Sequence, residues 1–423
     1  MAAKKILILG SGMVAKPCVD YLLRTPTNNL TIACRALSTA QQVAAGRART
    51  NPITLDVSSP ELDRSIADHD VVISLVPFTY HASVVRSAIR GKTNVITTSY
   101  VSSEIRSLEQ EAKQAGITVL NEVGMDPGID HLYAVKTIDE VHEKGGKVLE
   151  FYSYCGGLPA PEASDNPLRF KFSWSPRGAL LSQLNSATFL KDGKVVEVPN
   201  KDLMNSAVPY HIMDGYSFVA YPNRDSTSFR EAYKIPEAHT VIRGTLRYEG
   251  NPAMAMIQQK MTGAASTREA DLVAKVDEIC SFASSEQREQ VLSGLKWIGL
   301  FSDFVPKTHG NLLDTLSAQL DQICSYQPGE RDLVMLQHKF VVEWKDGSKD
   351  TLTSTLELFG APGGYSAMAK GVGLTCGIAT QLLLDGNPAF NTPGVLAPYS
   401  RELCDPIRAR VEDEGIKLVE RVL

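Results

Sequence analysis

Along the first third of the chain, short apolar runs alternate with longer stretches whose apolar residues recur at helical spacing. The runs are Lys5 to Leu9, Leu30 to Cys34, Ile53 to Leu55, Val71 to Val76, Asn94 to Thr97 and Ile117 to Leu120. Strands that are apolar without alternation are buried on both faces, as when helices cover a parallel sheet on either side. Residues 1–130 are therefore expected to form six parallel strands with crossover helices, a full doubly wound sheet.

Past residue 130 the texture changes. Longer polar stretches surround a Pro- and Gly-rich region from Gly156 to Gly178, with β-like segments at Lys147 to Cys155 and His239 to Glu249. An α+β domain is expected over 131–262. Leu272, Val276, Ile279 and Phe282 then recur at helical spacing, which predicts a small helical insertion over 263–329. Gln337 to Trp344 and Thr351 to Leu358, separated by Lys345, Asp346 and Gly347, read as a hairpin that returns the chain to the α+β domain over 330–364. Ser366 to Leu384 reads as one long helix rich in small residues, stopped by Gly386 and Pro388. Small side chains permit close packing, so this helix and the tail, about 365–423, are expected to complete the first domain. The fold class is α/β: a Rossmann doubly wound parallel sheet, plus an α+β domain and a small all-α insertion.

At 423 residues the chain is too long for one hydrophobic core. A net charge of -5 supplies no basic footprint for nucleic acid or anionic membranes, so neither is an expected partner and a small-molecule ligand is. The apolar run Ile6 to Leu9 after Lys4-Lys5 breaks at Gly10 with no cleavage site, and no other window is read as a membrane span. A cytoplasmic location is expected. The seven cysteines are scattered without a C-x-x-C pair, and the eight histidines show no ligand spacing. Reduced thiols are expected, and no metal.

Gly10-Ser11-Gly12-Met13-Val14-Ala15 is a G-x-G-x-x-A turn between the first strand and a helix. The first glycine permits the tight turn, the second admits a pyrophosphate against the backbone, and the small third residue lets helix meet strand. The helix N-terminus adds amide donors for the phosphates. In an NAD enzyme an acid closes the second strand and binds the ribose 2′-hydroxyl; here that strand ends Ala33-Cys34-Arg35-Ala36. A carboxylate would repel a 2′-phosphate, whereas the guanidinium of Arg35 pairs with one, so NADP(H) is the expected cofactor. Ser38 and Thr39 stand close enough in sequence to add phosphate contacts. Asp56 and Val57 after the third strand, and Leu75 and Val76 at the fourth, are expected to contribute mainly main-chain groups or core packing.

Two later strand ends carry polar residues: Thr97-Thr98-Ser99-Tyr100, and Gly124-Met125-Asp126-Pro127-Gly128-Ile129-Asp130-His131. Both should open onto the nicotinamide side of the sheet's crevice. Asp130 reads as a helix cap, and Asp126 as either a cap or a site residue. In the second domain, Arg243, Thr245 and Arg247 share one strand face by period two. Arginines so placed either hold carboxylates bidentately or lie solvated on an open sheet face. Arg224, in a polar stretch, is a third candidate carboxylate clamp.

Further motifs carry a resemblance to a family. Gly156-Gly157-Leu158-Pro159-Ala160-Pro161-Glu162, Asp165-Asn166-Pro167-Leu168 and Lys171-Phe172-Ser173-Trp174-Ser175-Pro176-Arg177-Gly178 resemble the signature stretch of fungal saccharopine reductases. Met125 to His131 and Ser366-Ala367-Met368-Ala369-Lys370 are similar to that family's pattern as well, and the likeness spans essentially the whole chain. The resemblance implies an NADP-dependent, glutamate-forming reaction in lysine biosynthesis. Glutamate condenses with α-aminoadipate semialdehyde, and NADPH reduces the imine to saccharopine, a substrate with three carboxylates. It also implies a stand-alone, three-domain homodimer. Substrate contacts are then expected from Ser99, Tyr100, Asp126, Gly128, Trp174, Arg224, Arg243, Thr245 and Arg247. Asp126 and Tyr100 are the candidate acid and base, with an ordered water or the substrate's own groups as alternatives. Two competing readings are a carboxynorspermidine-type reductase, whose amine-bearing substrate would call for an acidic pocket, and a catalytically inactive NADPH-binding regulator.

Overall fold

The computed structural model describes residues 2–251, 269–279, 282, 284–299 and 311–423. The chain divides into two compact units: Met1–Glu143 with Met368–Leu418, and Lys144–Ala367 with Val419–Leu423.

The first unit is built on β1 (Lys4–Leu9), β2 (Asn28–Cys34), β3 (Thr50–Thr54), β4 (Val71–Ser74), β5 (Asn94–Thr97) and β6 (Thr118–Leu120). A seventh strand, Gly394–Leu396, pairs with β6 in parallel. From that strand the order runs β6, β5, β4, β1, β2, β3, all parallel, so the direction of winding reverses beside β1. Helices α1 (Ala15–Leu22), α2 (Leu37–Ala44), α3 (Glu61–Ala67), α4 (His81–Gly91), α5 (Ser103–Ser107), α6 (Glu109–Ala115) and α7 (Ile129–Glu143) connect or follow the strands. The residues Ile6 to Leu9 and Val71 to Ile73 are at most 1% exposed, which explains their lack of alternation.

The unit extends to Glu143 rather than ending at 130, because α7 is tied to the returning chain. Its Tyr133 hydroxyl donates to Glu412 Oε1 (2.8 Å), and its His131 lies edge-on to Tyr399. The long helix Ala367–Leu384 is long and apolar enough to cross a membrane by composition, but 78% of it is buried in the protein. Its glycines meet α1 closely: a Cβ on Gly373 would stand 2.5 Å from the Val14 carbonyl oxygen.

The second unit carries a mixed sheet of β7 (Lys147–Pro159), β8 (Ala187–Lys191), β9 (Lys194–Val198), β10 (Val208–Tyr210), β11 (Phe218–Pro222), β12 (Arg224–Asp225), β13 (Thr240–Tyr248), β14 (Asp332–Glu343), β15 (Lys349–Phe359) and the terminal strand Val419–Val422. Its central pair, β13 and β7, is parallel; β14 and β15 form the expected hairpin, in register from Leu333 opposite Phe359 to Glu343 opposite Lys349. Helices Glu269–Ile279, Ser285–Ile298 and Leu312–Ile323 occupy the expected insertion. They share a core with the signature stretch, where Val276, Val291, Leu295 and Leu320 pack with Leu168, Phe170, Phe172, Ala179 and Leu180. Residues 252–268, 280–281, 283 and 300–310, parts of the expected α+β and helical regions, lie outside the described residues.

Candidate active site

The turn after β1 has the geometry its glycines predict. Gly10 sits at φ +106° and donates its N–H to the Ala33 carbonyl (2.9 Å), and a Cβ there would be 2.9 Å from the Leu75 carbonyl oxygen. A Cβ on Gly12 would meet nothing within 4 Å, so the turn presents open backbone at that point. Met13 is exposed, Val14 half-buried and Ala15 buried, so Ala15 is where helix meets sheet. Leu75 continues from β4 by donating to the Leu9 carbonyl (2.8 Å). Val57 and Val76 pack against the sheet's core, and Asp56 is exposed with its carboxylate accepting the Ser58 N–H (2.8 Å).

The end of β2 favours negative charge. Arg35 and Ser38 are exposed there, and Ser11 Oγ donates to Thr39 Oγ1 (2.9 Å). Burial pushes the Cys34 thiol up, but hydrogen bonds from the Ser11 and Thr39 hydroxyls and from the Ala36 and Arg35 backbone outweigh it and hold the thiol below its ordinary value. A corner of donors with an exposed guanidinium and no acid suits a 2′-phosphate.

At the ends of β4, β5 and β6 the polar residues are organised rather than scattered. His81, at the start of α4, bridges Ser74 Oγ (2.8 Å from Nδ1) and Ser99 Oγ (2.9 Å from Nε2). Burial lowers its pKa to about 4, so it is neutral in this bridge. Tyr100 donates its hydroxyl to Asp126 Oδ1 at 2.6 Å, bringing the two candidate proton-transfer residues together. Asp126 is the one residue from Asn121 to Asp130 that is not buried. Asp130 takes a structural part, its Oδ1 accepting the Gly128 N–H (2.5 Å). Gly128 is held so close that a Cβ would stand 2.1 Å from the Gly124 carbonyl oxygen.

The second unit holds the arginine set. Arg243 and Arg247 are each only 4% exposed, which removes the solvated-face alternative. Opposite residues of the same strand, Ile242, Leu246 and Tyr248, enter an apolar cluster, so period two separates a greasy face from a cationic one. The Arg243 guanidinium lies 4.1 Å from the centroid of Phe229, and that of Arg247 lies 5.1 Å from Phe170. Aromatic faces hold these cations without consuming their hydrogen-bond donors. Arg247 donates from one terminal nitrogen to the Leu246 carbonyl (2.7 Å), while its buried Nε has no hydrogen-bond partner among the described residues.

Arg224, read in the sequence only as part of a polar stretch, lies in a short strand. It is exposed, at φ +55°, in the two-residue strand β12 that pairs with β8. The segment is stitched to the buried arginine: the Asn223 N–H donates to the Arg243 carbonyl (2.9 Å), and the Arg243 N–H to Ser226 Oγ (3.0 Å). Thr245 is half-buried on the same face, with Cys155 of β7 as its register partner. Trp174 is half-buried against the helical cluster that contains Phe170. Phe229, Phe170 and His81 went unread in the sequence. Only tertiary packing brings them to these places, and no local spacing announces it.

A doubly wound parallel sheet with this glycine turn and an acid-free, donor-lined second strand end defines an NADP-dependent oxidoreductase. Comparison with known proteins narrows the class. Residues 6–120 match the saccharopine dehydrogenase NADP binding domain, and residues 124–416 the saccharopine dehydrogenase C-terminal domain. The chain is 52% identical to saccharopine dehydrogenase [NADP(+), L-glutamate-forming] of Saccharomyces cerevisiae, across 99% of each protein. It is 38% identical to the mitochondrial alpha-aminoadipic semialdehyde synthase of Bos taurus, matching 98% of this chain and 47% of that protein. The solved apo saccharopine dehydrogenase (L-Glu forming) of Saccharomyces cerevisiae superimposes with a TM-score of 0.87 at 51% identity, over 100% of both chains. The chain belongs to the saccharopine dehydrogenase family.

Proposed function

We propose that the chain catalyses the NADP-dependent, L-glutamate-forming oxidation of saccharopine, and in reverse the reductive condensation of glutamate with α-aminoadipate semialdehyde in lysine biosynthesis. The observation that carries the reading is the end-to-end likeness, at 52% identity over 99% of both chains, to an enzyme of that specificity. The arginine face gives the specificity a physical basis. Saccharopine presents three carboxylates, and two buried guanidiniums backed by aromatic rings, with Arg224 tethered beside one of them, match that charge. A carboxynorspermidine-type substrate, rich in amines, finds no such complement on this face.

Gly10, Gly12 and the N-terminus of α1 would hold the pyrophosphate, and Arg35 with Ser11, Ser38 and Thr39 the 2′-phosphate. NADPH, when bound there, would supply the hydride that reduces the imine. The chain's own task is to orient the imine carbon and to move protons. Condensation of the glutamate amine with the aldehyde releases water and needs a proton at the departing oxygen. Asp126, held by Tyr100 and alone accessible in its loop, is the group placed to give and retrieve that proton. Arg224, Arg243 and Arg247 would each pair with a substrate carboxylate.

Replacing any of these arginines singly with glutamine should lower kcat/KM for saccharopine about 10- to 150-fold, the worth of one charge-assisted hydrogen bond. NADPH affinity should stay within a factor of about two. Wild-type saccharopine kinetics in all three variants would remove the clamp from the account. We further propose that the protein works as a homodimer in the cytoplasm, with no nucleic-acid or membrane partner. The family resemblance supports the dimer, and the acidic net charge and scattered cysteines support the rest. Sedimentation as a monomer at micromolar concentration, or fractionation of the tagged protein with an organelle, would contradict these two points.

A further inference from the structure

Beneath the Asp126–Tyr100 pair lies a buried polar cluster with no part in the reaction as described. Glu122 follows β6 at φ +62° and is 2% exposed. Its Oε1 accepts the N–H of Val101, the residue after Tyr100, at 2.9 Å. Its Oε2 accepts from His131 Nε2 (2.9 Å) and from the Tyr399 hydroxyl (2.6 Å). His131 is fully buried, and its Nδ1 stands 3.6 Å from Asp130 Oδ2. Three chain segments therefore meet on one carboxylate: the turn after β5 that carries Tyr100, the start of α7, and the segment before the C-terminal helix Arg401–Asp413.

Burial is the largest influence on the Glu122 carboxyl and pushes it up. The bond and charge of His131, then the Tyr399 and Val101 donors, outweigh it and hold the carboxyl below the usual range. A buried carboxylate with donors on both oxygens is a rigid strut, since releasing any partner leaves charge unsatisfied in a dry site. The strut joins the turn that carries Tyr100 to the loop that carries Asp126, whose side chains meet at 2.6 Å.

We propose that Glu122, anchored by His131 and Tyr399, is a positioning residue for the Asp126–Tyr100 pair: it fixes the backbone beside Tyr100 against the loop that bears Asp126. The inference rests on the reading of that pair as the proton-transfer group. Glu122 touches neither substrate nor cofactor in this role and acts only through Tyr100 and Asp126.

A four-variant kinetic cycle tests it, with saccharopine and NADP as substrates and wild type, Glu122→Gln, Tyr100→Phe and the double variant compared. Glu122→Gln keeps an oxygen for Val101 but presents an amide to His131 and Tyr399. The expected result is a kcat reduced on the order of 10- to 100-fold, with KM for saccharopine and the NADPH dissociation constant within about twofold. In the Tyr100→Phe background the same change should cost less than about threefold, because the group it positions is already impaired. Should Glu122→Gln fail to fold, Tyr399→Phe removes a single donor to the same oxygen and should repeat the pattern at about three- to tenfold. Equal fold-losses in both backgrounds, or a raised KM with kcat intact, overturn the inference while leaving the pair's role standing. Wild-type kcat in Tyr100→Phe alone overturns the reading of the pair, and the inference with it.

Discussion

The proposed basis of the NADP preference is one side chain. Arg35 is exposed at the end of β2, beside donors that already hold Cys34 below its ordinary pKa. Arg35→Ala should weaken NADPH binding by about 1.5 to 3 kcal/mol and leave NADH binding almost unchanged, as read by fluorescence titration. Equal losses for both cofactors would take the 2′-phosphate away from Arg35. The place of this residue was legible because the fold fixes where the second strand ends. Arg243 and Arg247 were half legible: period two placed them on one face, but only the packed structure, with Phe229 and Phe170 beneath them, decides that the face is buried. His81 was not legible at all, since its partners Ser74 and Ser99 lie on separate strand ends. Its folded pKa of about 4 lies below the ordinary 6.5. Its contribution to stability is thus fully present above about pH 6.5, declines as the unfolded chain takes up the proton, and is lost as pH falls through about 4. That amounts to roughly 3 kcal/mol over the interval. Urea unfolding of wild type and His81→Gln between pH 7 and 4 should show the slope in the first and its reduction in the second; identical slopes would assign the acid sensitivity elsewhere.

Elements were read more securely than their ends. Apolar runs located all six early strands, most directly β4 and β6, whose burial on both faces leaves little room for polar residues, and least directly β3, none of whose residues is buried. The third strand shifted: the apolar run Ile53 to Leu55 suggested it, but pairing with β2 from Leu30 opposite Thr50 to Cys34 opposite Thr54 sets its range. β12 was invisible, since two polar residues carry no periodicity. The long helix Ala367–Leu384 was legible from its small residues, and the structure gives the reason for one of them. A methyl group on Gly373 would press within 2.5 Å of the Val14 carbonyl oxygen, in the turn proposed to receive the pyrophosphate. Gly373→Ala should therefore cost about 1 to 3 kcal/mol of stability and also weaken NADPH binding. A destabilised variant that binds NADPH normally would show that helix and turn are independent.

At the scale of the whole molecule, the chain makes its first unit from two distant segments, Met1–Glu143 and Met368–Leu418, around one parallel sheet. Local pattern predicted the return of the chain through close-packing small residues. It could not predict that α7 belongs with the returning segment, because that association rests on Tyr133 reaching Glu412 and on His131 meeting Tyr399, far apart in sequence. The glycine turn and Arg35 proposed for the cofactor belong to the first unit, and the arginines proposed for the substrate carboxylates to the second. The direct test is the growth of reduced cofactor absorbance when the purified protein is given saccharopine at alkaline pH, with NADP and NAD compared in parallel. Saccharopine-dependent reduction with NADP is expected, at least about tenfold weaker with NAD, with release of glutamate in step with it. No saccharopine-dependent reduction, or turnover indifferent to the 2′-phosphate, would contradict the proposed activity.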